Sequence, residues 1–209
     1  MENRKNEIEY RNWWECELRT DADDKGVRHI VGYAAVFNSL SEDLGGFREK
    51  IDPGAFADTI NTDDIRALWN HNSSYPIGRK KSGTLTLSED QRGLKIDAVP
   101  PDAQWARDLM ASIDRGDVDQ MSFGFRTIDQ MWEGEYPDEI RTLMKVQLFD
   151  VSPVTFPAYP DTEVGLRSLE EYRTANKVED EGNKADDYLI GLSIRRKRLK
   201  IKERQLKED

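Results

Sequence analysis

Cysteine is nearly missing from this chain and histidine almost as scarce: Cys16 is the one thiol, and His29 and His71 are the two imidazoles, in 209 residues. A single cysteine forms no intramolecular disulfide and no cysteine-based zinc site, and two histidines far apart in sequence disfavour a His-rich metal centre. Chemistry with neither metal nor cofactor is therefore expected. Long apolar runs are missing too. The longest extends from Ile30 to Phe37 and contains Gly32, far short of the ~20 residues of a membrane helix, so no membrane partner is expected. The opening stretch, Met1-Glu2-Asn3-Arg4-Lys5-Asn6-Glu7, has no apolar core of a secretion signal, which sets a cytoplasmic expectation.

What is present is charge. Charged residues make up 34% of the chain against 37% hydrophobic, with a net charge of −10. That composition suits one domain with a real but lean core and an appendage. Residues 195–209 hold eight Lys/Arg and three Asp/Glu, a net +5, which leaves −15 on residues 1–194. An acidic body repels phosphates, so no nucleic-acid partner is expected, and a small nucleic-acid-binding barrel is disfavoured. The basic end could touch an acidic partner.

Residues 1–12 are polar and expected to be frayed. Trp13–Leu18 and Arg28–Phe37 read as strands, the second rich in β-branched and aromatic residues. Phe47–Ile51 is a short strand candidate, and Asp52-Pro53-Gly54 leads to a short helix near Ala55–Ile60. Asp64–Asn70 reads as a strand, with Ser73-Ser74 as turn chemistry. Thr84–Leu87 and Gly93–Val99 read as a hairpin. Trp105, Leu109, Met110 and Ile113 recur at helical spacing between an Asp102 N-cap and a Gly116 stop. Gln120–Ile128 and Ile140–Val151 read as strands, the second broken by Ser152-Pro153. The prediction is an α+β, mainly β fold: a closed or nearly closed β-barrel of about seven or eight strands ringed by helices, plus a charged C-terminal helix. A linker is expected over residues 169–184 and an amphipathic tail over 185–209, where Ala185, Leu192, Leu199 and Leu206 recur every seventh residue.

Three polar residues stand in apolar, strand-like surroundings. In Met121-Ser122-Phe123-Gly124-Phe125, alternation puts Met121, Phe123 and Phe125 on a core face, and Ser122, Gly124 and Arg126 on the other. A glycine inside a strand marks close approach of a backbone or ligand, and a peptide could lie there; equally, this is a solvent face with a bulge glycine. His71 follows Leu68-Trp69-Asn70 on the face of Ile65, Ala67 and Trp69, a base or a packed, hydrogen-bonded imidazole. Asp150 shares the face of Met144, Val146 and Leu148. A carboxylate there needs a donor, which an imidazole N–H or local backbone amides could supply. Alcohol, imidazole and carboxylate are the three groups nucleophilic hydrolysis requires. His29, beside Arg28 at a strand end, reads as structural or surface.

The order of motifs resembles the tailed-phage prohead (capsid maturation) serine proteases, relatives of the herpesvirus maturation proteases. The segments that carry it are Val31-Gly32-Tyr33-Ala34-Ala35-Val36-Phe37-Asn38, Phe47 to Phe56, Leu68-Trp69-Asn70-His71-Asn72, Pro76-Ile77-Gly78-Arg79, Met121 to Phe125, and Leu148-Phe149-Asp150-Val151-Ser152-Pro153. It covers about residues 13–168, taken as the protease domain. The resemblance implies a serine endopeptidase with a β-barrel fold, His71 as base and Ser122 as nucleophile. The viral relatives use a second histidine after the serine; none follows Ser122 here, so the resemblance assigns the third position to Asp150. Gly124 and Arg126 are the candidate oxyanion donors. The implied partners are the major capsid protein and scaffold segments, and the protein itself, as substrates, with a homo-oligomer possible. The implied location is the immature procapsid in the host cytoplasm. A non-catalytic assembly or scaffold protein on the same fold is the alternative.

Overall fold

The β-branched and aromatic runs do become strands, but their pairing makes two sheets instead of one closed wall. The structure, a computed structural model, describes residues 8–12, 17–135, 137–156 and 163–175. In chain order its elements are β1 (Glu9–Asn12), β2 (Leu18–Ala22), β3 (Arg28–Val36), β4 (Arg48–Ile51), α1 (Thr59–Thr62), β5 (Arg66–Trp69), β6 (Asn72–Arg79), β7 (Leu85–Glu89), β8 (Gly93–Ala98), α2 (Gln104–Arg115), β9 (Gln120–Glu133), β10 (Ile140–Val154) and α3 (Glu163–Ala175). One sheet has the order β1-β9-β10-β5-β6, with β4 also parallel to β10; the other has the order β2-β3-β8-β7.

The mainly β, α+β class therefore stands and the closed barrel does not. Local periodicity reveals strands, but closure depends on which distant strand meets which, and here the described strands end in open edges at β1 and β6 and at β2 and β7. Residues of both sheets bury into one core. Ile30, Ala34 and Ile96 of the second sheet join Phe123, Phe125, Leu148 and Val151 of the first, with Leu109 and Ile113 of α2 and with Phe56. Helix α2 stops at Gly116, whose φ of 80° lets its N–H reach back to Ile113 and Ser112. Its N-cap is Ala103, not Asp102: Ala103 is extended, with φ of −126° and ψ of 151°, and the Asp102 carboxylate pairs with Arg107.

Strand bounds differ from expectation: β9 runs past Ile128 to Glu133, and β6 adds a strand over Asn72–Arg79. β10 runs through Ser152-Pro153 to Val154, with Pro153 opposite Met121. The Pro153 carbonyl points to the other side, where it accepts the Asn70 N–H at 3.0 Å. The missing N–H of the proline faces that side too, so the β9 ladder loses no donor. Ser73-Ser74 lies within β6 instead of a turn.

The chain divides into two units, Met1–Gly165 and Leu166–Asp209. All ten strands of the described residues belong to the first; the described part of the second is the remainder of α3. Residues 176–209, with most of the expected linker and the whole charged tail, lie outside the described residues, as does most of the strand expected over Trp13–Leu18. Among the described residues no helix is long and apolar enough to cross a membrane.

The N-terminal segment expected to fray instead contributes β1, held by charge. Glu9, Arg11, Glu49 and Arg141 are each at most 2% exposed. Arg11 bonds Glu49 at 2.9 Å and Glu9 at 2.8 Å, and Arg141 bonds Glu9 at 2.7 Å and Glu49 at 2.9 Å. Thr127 donates to Glu9 and accepts from Arg141, both at 2.8 Å, while the Arg141 Nε–H reaches Gln130 at 2.6 Å. Two cations and two anions leave no net charge, and each guanidinium is shared by both carboxylates. Burial pushes the Glu9 carboxyl upward, but the hydrogen bond and charge of Arg141, with Arg11 and Thr127, prevail and hold it below the ordinary glutamate range.

Breaking this quartet strands a buried charge. Glu49→Ala is expected to lower stability by ~3–5 kcal/mol in urea unfolding; a loss under ~1 kcal/mol would deny the quartet its role. Because the Glu9 pKa is depressed, its contribution is complete above the ordinary glutamate value of ~4.3 and is lost as pH falls below it toward the native value. Stability should therefore fall more steeply on acidification in the wild type than in Glu9→Gln.

Candidate active site

Neighbouring strands set the positions before any side chain is considered. In the register of β1, β9 and β10, Asn12, Ser122 and Ser152 form one rung, and Tyr10, Gly124 and Asp150 another. Residues two apart share a face of a sheet, so these two rungs make one polar patch. Met121, Phe123 and Phe125 turn to the opposite face and are fully buried, as expected.

Asp150 does not sit where alternation puts it. Simple period-2 reading groups it with Leu148, but the register shifts between Leu148 and Asp150: Leu148 faces Phe125, Asp150 faces Gly124, and Phe149 is the extra residue. This bulge rotates the chain, so that Leu148 and Val151 both enter the core while Asp150 moves to the Ser122 face. Re-aiming one side chain is what a bulge does.

His71 arrives by a tight turn. Trp69 pairs with Asn72 across the β5–β6 hairpin, leaving Asn70-His71 as a two-residue loop with φ of 53° and 55°. Positive φ at both positions is what a type I′ connection requires. This conformation is uncommon outside glycine, and Asn and His are among the residues that adopt it more readily than most. Asn70 pins the loop to the end of β10, its side-chain oxygen accepting the Thr155 N–H at 2.9 Å. His71 is therefore a turn residue, not the end of an apolar strand face.

The three side chains converge. The Nε2 atom of His71 lies 2.8 Å from Ser122 Oγ, and Nδ1 lies 2.6 Å from Asp150 Oδ1. A carboxylate only accepts, so Nδ1 carries the proton and Nε2 is free to accept from the serine hydroxyl. Ser152 donates to the same Oδ1 at 2.7 Å, a second hydrogen bond that fixes the carboxylate. Ser122 is fully buried and Asp150 7% exposed.

Gly124 has a different neighbour from the one its sequence suggests. A Cβ there would lie 2.5 Å from Asp150 Oδ2 and 2.9 Å from Tyr10 Cε1. The close approach is made by the protein's own carboxylate and phenol. The Gly124 backbone lies in the sheet between β1 and β10. Arg126 donates to Gln147. His29 lies on β3 in the other sheet, bonded to Asp97 at 2.6 Å. Sequence reading passed over Ser152 and Tyr10. Ser152 was detectable, two residues beyond Asp150; Tyr10 was hidden in a segment of charged letters.

An alcohol, an imidazole and a carboxylate in line are the groups of a serine hydrolase centre. The chain belongs to the caudovirus prohead serine protease family, whose model matches residues 15–175. Among solved structures it is similar to the bacteriophage T4 capsid assembly protease, at 12% identity over 71% of this chain and 96% of that one, with a TM-score of 0.45. No curated protein matches.

Gly124→Ala places a methyl group against Asp150 and Tyr10. It is expected to destabilise the fold by ~1–3 kcal/mol, the usual range for overpacking, and to displace the Asp150 carboxylate from His71. Thermal unfolding and a crystal structure of the variant check both; an unmoved carboxylate and unchanged midpoint would count against the packing described.

Proposed function

We propose that this protein is a serine endopeptidase of prohead maturation, cleaving scaffold and capsid-protein segments, and itself, inside the immature procapsid. The observation that carries the reading is the imidazole held 2.8 Å from a serine hydroxyl and 2.6 Å from a carboxylate.

In this scheme Ser122 Oγ attacks the scissile carbonyl while His71 Nε2 takes its proton. The imidazolium then gives that proton to the leaving amine, and a water, deprotonated by the same nitrogen, releases the acyl group. Asp150 keeps the proton on Nδ1 and balances the imidazolium charge. Ser152 stops the carboxylate from rotating away. The full burial of Ser122 adds a condition: a substrate reaches the hydroxyl only after local opening around it.

Co-expression with the capsid protein of the same phage tests the reading. The wild type should trim it. Ser122→Ala should lower the rate by ~10³-fold or more, and Asp150→Asn by ~10⁴-fold with the fold intact. Trimming at an unchanged rate by Ser122→Ala would remove the serine from the chemistry, and absence of trimming by the wild type would leave a non-catalytic assembly role.

A further inference from the structure

We propose that Tyr10 is a positioning residue for His71: its ring, lying over the imidazole across the gap left by Gly124, holds the base in line with Ser122 and Asp150. This rests on the proteolytic reading for its consequence to activity, but not for its structural content. Tyr10 precedes the residues matched by the family model, which begin at 15.

The geometry is specific. The Tyr10 and His71 ring centroids are 4.4 Å apart at 59°, a tilted aromatic contact at the short edge of the favourable range. A type I′ turn fixes the His71 backbone but leaves rotation about its side-chain bonds. Hydrogen bonds at Nδ1 and Nε2 set the ring's plane only while both partners are in place, and the serine changes partner during reaction. A wall against the ring holds the plane throughout. Tyr10 can serve as that wall because the rung Tyr10–Gly124–Asp150 has no side chain at its centre; any larger residue at 124 would separate the phenol from the carboxylate and the imidazole.

Tyr10 is itself held firmly. Its neighbours Glu9 and Arg11 point to the other face and are locked into the buried quartet, and Arg11 lies 5.7 Å from the Phe125 ring centre. An edge strand of four residues would otherwise be poorly held. Burial and the nearby Asp150 charge both raise the Tyr10 pKa, so the phenol stays neutral beside the carboxylate. The ring lies against the imidazole and beside the Gly124–Asp150 rung, so it hinders the approach of water to the Nδ1–Asp150 hydrogen bond.

The test uses the full chain and two readouts. The first is the low-field proton resonance of His71 Nδ1–H, whose exchange with water reports the hydrogen bond to Asp150 whether or not the protein cleaves anything. The second is the rate of labelling of Ser122 by a fluorophosphonate. Tyr10→Phe should keep the slowly exchanging proton and label within about threefold of wild type. Tyr10→Ala should lose that resonance to fast exchange and label ~10–100-fold more slowly, the order expected for a misplaced catalytic group. Leu85→Ala, in the core of the other sheet, controls for lost stability and should leave the resonance in place. Wild-type exchange and labelling in Tyr10→Ala would overturn the proposal, as would a Tyr10→Phe variant as impaired as Tyr10→Ala. If wild-type Ser122 is not labelled at all, the proteolytic reading fails, and the exchange measurement alone still decides whether Tyr10 holds the imidazole.

Discussion

The register between β9 and β10 is the constraint on which the site depends. It sets Ser122 opposite Ser152 and Gly124 opposite Asp150, and one residue of slip would exchange the polar patch with the core face. The bulge at Phe149 is part of the same constraint. Without it Asp150 would point into a layer of Phe125, Val146 and Leu148, where an ionised carboxylate has no donor. With it, the chain keeps an apolar core on both sides of the bulge and still delivers one carboxylate to the opposite face. The long antiparallel ribbon is well suited to this, because pairing continues from Ile140 to Val154 and absorbs the irregularity.

A second constraint is electrostatic. Burying four formal charges under β1 costs desolvation free energy for each, and the shared hydrogen bonds offset that cost only when all four partners are present. Such an arrangement is all-or-none: it specifies where β1 docks more sharply than an apolar strand would, since an ion pair tolerates little displacement. It also ties β1, β4, β9 and β10 together at one point, with Tyr10 facing the other way toward the imidazole. Placement of the N-terminal strand and placement of the proposed base are thereby linked through three consecutive residues.

Much of the candidate site was legible in the sequence, and what was not has identifiable causes. Apolar alternation around Ser122 marks a core strand, and helical spacing from Trp105 to Ile113 marks α2, because both are local patterns. The presence of His71, Ser122 and Asp150 in separate β-rich segments was readable for the same reason. The face of Asp150 was misjudged because a bulge breaks period-2 reading without any signature in the letters. β1 was missed because Glu9 and Arg11 look like solvent-exposed residues, and only their partners at 49 and 141, far along the chain, reveal that they are buried. Closure into a barrel was misjudged because strand number is a local property and sheet edges are not.

The distances along the chain have a consequence for how the site comes into being. His71 meets Ser122 across 51 residues and Asp150 across 79, and Glu9 meets Arg141 across 132. None of these contacts can form within a short folded fragment, and non-local pairing is slow because loop closure comes before any compensating contact. A partly folded chain would have a serine strand, and a hairpin carrying an imidazole, without the carboxylate that sets its tautomer. Under the proposed function, reactivity belongs only to the completed sheet. Even there Ser122 is fully buried, so on that reading folding and substrate access are separate barriers in front of the same hydroxyl.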